Sequence, residues 1–185
     1  MGRSYAGDLL VSRPDMVDPN FGGTLTFLLE HGDDGAIGIV LNRPSDLAVR
    51  DAFPDWAELT PSPRRIFVGG PVQTNAIIAL GRNRPDVVPD ARFDLPAGLV
   101  SVDLDEQAAL ARGEGLHEVR IFAGYAGWGA GQLEEEMVND AWWVVPGFVS
   151  DVFSESPEML WTEVLQRNGG DFRWFAHLPQ DPSIN

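Results

Sequence analysis

Apolar positions in this chain fall into short runs, most with a period of two, separated by Gly, Pro, Asn and Asp. Leu9-Leu10-Val11 predicts a strand that stops before Pro14. Asp18-Pro19-Asn20-Phe21 reads as a turn, because Asp before Pro favours extended geometry and Asn tolerates the left-handed region. Residues 24–30 are β-branched and aromatic, and Ile37, Ile39 and Leu41 alternate with Gly38, Val40 and Asn42. With Gly32-Asp33-Asp34-Gly35 between them, these two runs predict an antiparallel hairpin. Further strands are expected at residues 66–68, 75–80, 99–104 and 142–145, with 172–175 as a last one. In the run ending at Tyr125, Val119, Ile121, Ala123 and Tyr125 are expected on one face, opposite Arg120, Phe122 and Gly124.

A period near 3.6 occurs in fewer places. Residues 46–56 predict one short helix with Asp46 as N-cap. Residues 105–112 predict another, acidic in its first turn and closed by Arg112-Gly113. Leu133, Met137, Val138 and Ala141 form a third apolar stripe, and residues 157–167 a fourth helix that starts at Pro157 and ends before Gly169-Gly170. Residues 54–63 and 83–96 read as proline-punctuated connections. Most strand pairs are joined by turns too short for a crossover helix. The expected fold is therefore α+β, a mixed and largely antiparallel sheet with helices, in one domain spanning residues 1–185.

Composition narrows the chemistry. Acidic residues outnumber basic ones 28 to 13, giving a net charge of −15 that repels phosphate backbones and anionic membranes. This argues against direct nucleic-acid contact. The absence of Cys removes disulfides, thiol nucleophiles and thiolate metal sites. All 13 basic residues are Arg, so Schiff-base catalysis and the P-loop lysine are excluded as well. No apolar run approaches the roughly 18 residues of a membrane span, and the first residues lack the apolar core of a secretory signal. Ala6 breaks the myristoylation pattern. A cytoplasmic protein without membrane attachment is the expectation.

Four places carry candidate chemistry. From Phe122 to Glu136 a strand is expected to break into a glycine-rich bend and restart as an acidic helix. Gly127, Gly129 and Gly131 raise the possibility of a phosphate cradle. Against it, Gln132 stands where a third fingerprint glycine belongs, and Glu134, Glu135 and Glu136 compete for the positive helix end. The alternatives are a tight corner packed by Tyr125 and Trp128, or a peptide or small-molecule site. Asn42-Arg43-Pro44 could aim a guanidinium at a carboxylate ligand, or pair it with a local acid such as Asp46. Gly69-Gly70-Pro71 is either an anion nest or a plain turn. Glu30-His31 invites an acid/base reading, but His31, His117 and His177 show no ligand spacing, so a hydrogen-bonded strand-end histidine is the simpler expectation. No serine sits in Gly-x-Ser-x-Gly. Asp33-Asp34, Asp103, Asp105 and the Glu134–Glu136 run read first as solvated charge.

Taken in order, Gly7-Asp8-Leu9-Leu10-Val11, Asp18-Pro19-Asn20-Phe21, Glu30-His31, the run from Gly35 to Pro44, Gly69-Gly70-Pro71, Gly124-Tyr125-Ala126-Gly127-Trp128 and Gly131-Gln132-Leu133-Glu134 resemble the YqgE/AlgH family of bacterial proteins. The ending Asp181-Pro182-Ser183-Ile184-Asn185 is similar too, so the resemblance covers essentially the whole chain. It implies one α+β domain with partly barrel-like β-structure surrounded by helices, in a cytoplasmic protein without an established activity. One branch of the family carries the label of a transcriptional regulator of alginate synthesis. The chain departs from the family pattern at Gly22-Gly23, where basic residues are frequent, and at Gly81, where His is frequent.

The leading expectation is a non-enzymatic protein that binds a partner protein or small ligand, with a regulatory role. Its expected surface combines Asn42, Arg43, Gly69, Gly70, Tyr125, Trp128, Gln132 and Glu134, at strand ends that a sheet can bring together. No catalytic residue, metal ligand or cofactor is assigned. The alternatives are a hydrolase using carboxylates with or without magnesium, and a DNA-binding regulator by family label alone.

Overall fold

The computed structural model describes residues 3–86, 95–105, 115–170 and 172–176. Among them the strands are β1 (Asp8–Ser12), β2 (Leu25–Gly32), β3 (Gly35–Val40), β4 (Pro44–Ala48), β5 (Arg65–Val68), β6 (Val72–Asn83), β7 (Leu99–Ser101), β8 (Leu116–Gly129) and β9 (Trp142–Pro146). The helices are α1 (Val49–Ala52), α2 (Gln132–Val138), α3 (Val149–Val152), α4 (Pro157–Asn168) and α5 (Phe172–Phe175).

The strands join in one mixed sheet in the order β4-β5-β8-β3-β2-β1-β9, with β6 and then β7 on the other side of β8. All pairings are antiparallel except β5 with β8. The long β8 is the spine: its first half pairs with β6, Phe122 and Ala123 pair with β5, and residues 126–129 pair with β3. The sheet curls around a central core of Leu9, Phe27, Ile39, Phe67, Leu80 and Phe122 without closing into a barrel.

α4 completes this core. Leu160, Trp161, Val164 and Leu165 are all buried, at about 1.5–3 kcal/mol per side chain taken out of water. That term, rather than helix propensity, holds a 12-residue helix in place. Its last turn is tied to α3, where Arg167 makes a bidentate pair with the buried Asp151. Two smaller cores lie on the outer faces. One packs Val49 and Trp56 against Ile66, Val119 and Ile121. The other packs Leu133 of α2 against Leu10, Leu28, Trp128 and Trp142.

The structure agrees with the expected α+β class and with the hairpin, β2 and β3 turning at Asp33-Asp34. Several local expectations are corrected. Asp46 lies in β4 and caps nothing; α1 begins only at Val49, because β4 is recruited by β5. The run at 99–104 is a strand only to Ser101. β8 does not break at the glycines but continues to Gly129, since Gly127 and Gly129 pair with Ile37 and Gly35. Tyr125 leaves the face of Ile121 and packs with the central core, because Gly124 at φ 73° breaks the alternation. Val138 is 82% exposed and does not join the α2 stripe. Residues 172–175 form a helix rather than a strand, with Phe172 and Phe175 packed on Trp143. All but the first residue of the helix expected at 105–112 and most of the loop expected at 83–96 lie outside the described residues.

Candidate functional site

Asn42 and Arg43 leave β3 as the chain crosses from one half of the sheet to the other, and both turn toward residues 18–23. Asn42 Oδ1 accepts the Leu25 N–H at 3.0 Å, and its Nδ2 donates to the Gly23 carbonyl at 2.8 Å. The Arg43 guanidinium donates to the carbonyls of Pro19 and Gly22, each at 3.1 Å. Burial lowers the Arg43 pKa from its ordinary value, against an opposing pull from Asp18. Asp18 builds the loop from within: its Oδ1 accepts the N–H groups of Asn20 and Phe21, and its carbonyl accepts that of Gly22. A side chain at Gly22 would place Cβ 2.9 Å from the Met16 carbonyl, so this departure from the family pattern fits the packing. Gly81 is similar, since a Cβ there would meet Val102 at 2.7 Å.

Trp128 reaches the same loop from the other side. Its ring stacks on Phe21 at 6.0 Å, and Trp142 meets both edge-on at 6.1 and 5.5 Å. The two indoles are held by one carboxylate, Glu136, whose Oε2 accepts from Trp128 at 2.9 Å and from Trp142 at 2.8 Å. Gln132 donates to the other Glu136 oxygen at 3.0 Å and accepts the Gly129 N–H at 3.0 Å. A main-chain donor that a phosphate cradle would need is therefore already occupied, in line with the arguments against one. Glu134 turns to β2, its Oε1 lying 3.0 Å from His31 Nε2 without aligning as a hydrogen bond. His31 Nδ1 accepts the Tyr5 N–H at 3.3 Å, which leaves the ring proton on Nε2, facing Glu134. The partner of His31 is thus Glu134, not the adjacent Glu30.

Gly69, Gly70 and Tyr125 do a different job. A Cβ at Gly69 would lie 2.3 Å from the Gly124 carbonyl, and one at Gly70 2.2 Å from Tyr125. Gly69 donates to the Ala123 carbonyl and accepts from Val40, each at 2.8 Å. The glycines let the loop after β5 pass directly over β8, and the half-buried Tyr125 packs inward.

Of the eight expected residues, Asn42, Arg43 and Trp128 thus meet at one loop. Gln132 and Glu134 fix α2, and Gly69, Gly70 and Tyr125 fix a backbone crossing. Glu136 and Phe21 are central to the arrangement and carry no local signal beyond the i, i+4 spacing of Gln132 and Glu136. Among the described residues, no group of three or more His, Asp or Glu side chains is placed to hold a metal ion, and no helix is long and apolar enough to cross a membrane. Among the described residues, two hollows lie elsewhere. One of about 370 Å³ is bounded by Arg13, Trp143, Phe172 and Phe175. The other, of about 550 Å³, lies beside β6 and β7.

The AlgH-like family model matches residues 9–173. A UPF0301 protein of Streptomyces avermitilis is 41% identical over 186 residues, covering 98% of this chain and 96% of the relative. A UPF0301 protein of Thermobifida fusca is 42% identical over 193 residues, with the same coverage of 98% and 96%. Among solved structures, a Corynebacterium diphtheriae protein superposes with a TM-score of 0.85 at 27% identity, covering 96% of this chain and 94% of its own. The solution structure of the AlgH protein from Pseudomonas aeruginosa, a UPF0301 protein, gives 0.72 at 31% identity, covering 97% and 96%. The motifs that carry the resemblance, the fold they build and these relatives agree: the chain belongs to the AlgH-like, UPF0301 family.

Proposed function

We propose that the chain is a single-domain, cytoplasmic, non-enzymatic binding protein whose contact surface for a partner protein is the loop of residues 15–22. The observation that carries this reading is the way the loop is held. Arg43 and Asn42 fix its carbonyls, Asp18 fixes its N–H groups, and Phe21 is locked against Trp128 and Trp142. Outward it presents Val17, 94% exposed, with Asp18, Pro19 and Asn20. A loop with its shape set in advance loses little conformational freedom on binding, which is how a small surface reaches useful affinity. A regulatory role follows if the partner's activity depends on that contact. The net charge of −15 supports a protein rather than a nucleic acid as the partner.

The test is capture from a lysate of the native host with the wild-type chain, Val17→Asp and, as control, Val138→Asp. Val138 is 82% exposed at the end of α2 and has no part in the loop. Loss of a captured protein with Val17→Asp and its retention with Val138→Asp supports the reading. Equal capture by all three overturns it.

A further inference from the structure

The His31 imidazole, at the end of β2, is only 5% exposed and holds the segment that runs into β1. Its Nδ1 accepts the Tyr5 N–H at 3.3 Å, and the His31 carbonyl accepts the Ser4 hydroxyl at 3.0 Å. The Ala6 N–H in turn donates to Ser4 Oγ at 3.3 Å. The Tyr5 ring meets the imidazole edge-on, with centroids 5.1 Å apart, and packs on the outer core of Leu10, Leu28 and Trp128. Gly7 is held independently, its N–H donating to the Leu28 carbonyl at 2.8 Å. With Nδ1 accepting, the ring proton sits on Nε2, which is buried without a hydrogen-bond partner, 3.0 Å from Glu134 Oε1 of α2. The other charges around the ring come from two sides. Arg3 lies over the Tyr5 ring at 5.4 Å and pairs with Asp8 at 3.4 Å. β2 and its turn add Glu30, Asp33 and Asp34, all exposed, and β3 carries no ionisable side chain.

We propose that His31 is a pH-sensitive latch on residues 4–6, closed when its imidazole is neutral and open when it is protonated. A neutral imidazole has one acceptor and one donor nitrogen, whereas the imidazolium has two donors. The bond from Tyr5 needs the acceptor, so a proton on Nδ1 replaces it with two N–H groups facing each other. The same proton makes the contact with Glu134 a full ion pair, so this carboxylate is the partner of the open form. The sign follows: the tie to Tyr5 is present at high pH and is lost as the pH falls through the imidazole titration. Arg3 brings a like charge to the segment being released. Opening frees Tyr5 from the outer core and leaves Gly7 on β2. The latch works whether or not the loop of residues 15–22 is a contact surface.

The test is nitrogen NMR of the full labelled chain, reading ring nitrogens and amide exchange at about pH 7.5 and about pH 5.5. At the higher pH the His31 ring should show the Nε2–H tautomer, with Nδ1 unprotonated. On acidification the Tyr5 amide should lose about fivefold of its protection, after correction for the intrinsic exchange rate, with a smaller loss at Ala6. Gly7, held by Leu28, should keep its protection. His31→Asn places a carbonyl oxygen near the position of Nδ1 and does not titrate, so Tyr5 should be equally protected at both pH values. Glu134→Gln, a change at a half-exposed position, should move the loosening to lower pH by removing the partner of the imidazolium. If His31→Asn does not fold, the wild-type tautomer and the effect of Glu134→Gln decide. An Nδ1–H tautomer at the higher pH, or Tyr5 protection that does not change with pH, would overturn the proposal. So would an equal loss in His31→Asn, or a loss at Gly7 as large as that at Tyr5.

Discussion

Two arginines show how burial changes what a side chain does. Arg43 is half-buried and gives its hydrogen bonds to the carbonyls of Pro19 and Gly22, so it works as a clamp. Hydrogen bonds from a charged donor contribute about 1.5–3 kcal/mol when buried and less near solvent. Arg43→Ala should therefore cost about 1–2 kcal/mol in urea denaturation and speed amide exchange at residues 20–22. Unchanged exchange there would show that the loop does not depend on the clamp. Arg120 is the opposite case. It is 1% exposed, donates once, to the Ser62 carbonyl at 2.9 Å, and rests over the Phe67 ring at 4.4 Å, while its Nε has no partner. Burial lowers its pKa to about 10, against the opposing pull of Glu118 and Glu155. Desolvation thus outweighs the pull of the two carboxylates on the guanidinium charge. Ser62 is exposed, so water can replace the lost donor. Arg120→Met is expected to raise stability by about 1 kcal/mol at pH 7. At that pH both folded and unfolded chains hold the proton and the full cost is present. Above about pH 10 the folded chain releases its proton before the unfolded chain does, so wild-type stability gains and the advantage of the variant should shrink. Melting curves of the two proteins at pH 7 and above pH 10 decide it.

At the scale of elements, α2 is short and lies on the sheet because its polar residues point back at it. Glu136 joins the helix to β8 and β9 through the two indoles. Glu136→Ala would leave two part-buried N–H donors without an acceptor, at about 1–3 kcal/mol each if water cannot reach them. A loss of about 2–3 kcal/mol is expected. The indole N–H resonances of Trp128 and Trp142 should move while those of the other four tryptophans stay, and movement of all six would point to general loosening instead. The elements also differ in how legible they were. The hairpin of β2 and β3 and the helix α4 follow from alternation, breakers and a proline start, because each is stabilised by a pattern local to the chain. Residues 172–175 hold three aromatics in four, a strand-like composition, yet they are helical, with Phe172 and Phe175 packed on the Trp143 ring. At Asp46 the N-cap pattern was present but the edge of β5 was the stronger partner.

At the scale of the whole molecule, charge and topology dominate. A surplus of 15 negative charges on one small protein repels itself, and salt relieves that repulsion. Raising the ionic strength from 10 to 150 mM shortens the screening length from about 30 to about 8 Å, and a rise in melting temperature of about 2–4 °C is expected. A melting temperature independent of salt would mean that local ion pairs already balance the charge. The α+β class, the family, the main strands and the exclusion of cysteine and lysine chemistry are legible in the chain alone, since these depend on composition, local periodicity and motif order. Its motifs also single out Asn42, Arg43 and Trp128. What the motifs do not decide is the purpose of these residues. Whether a guanidinium faces solvent or a carbonyl, and whether an indole is free or held by Glu136, depends on which segments the sheet brings together from far along the chain. Phe21 meeting Trp128, Arg43 reaching the Pro19 and Gly22 carbonyls and Gly70 passing over Tyr125 are contacts between residues distant along the chain. Only the packed fold, in which each buried polar group must find its partner, fixes them.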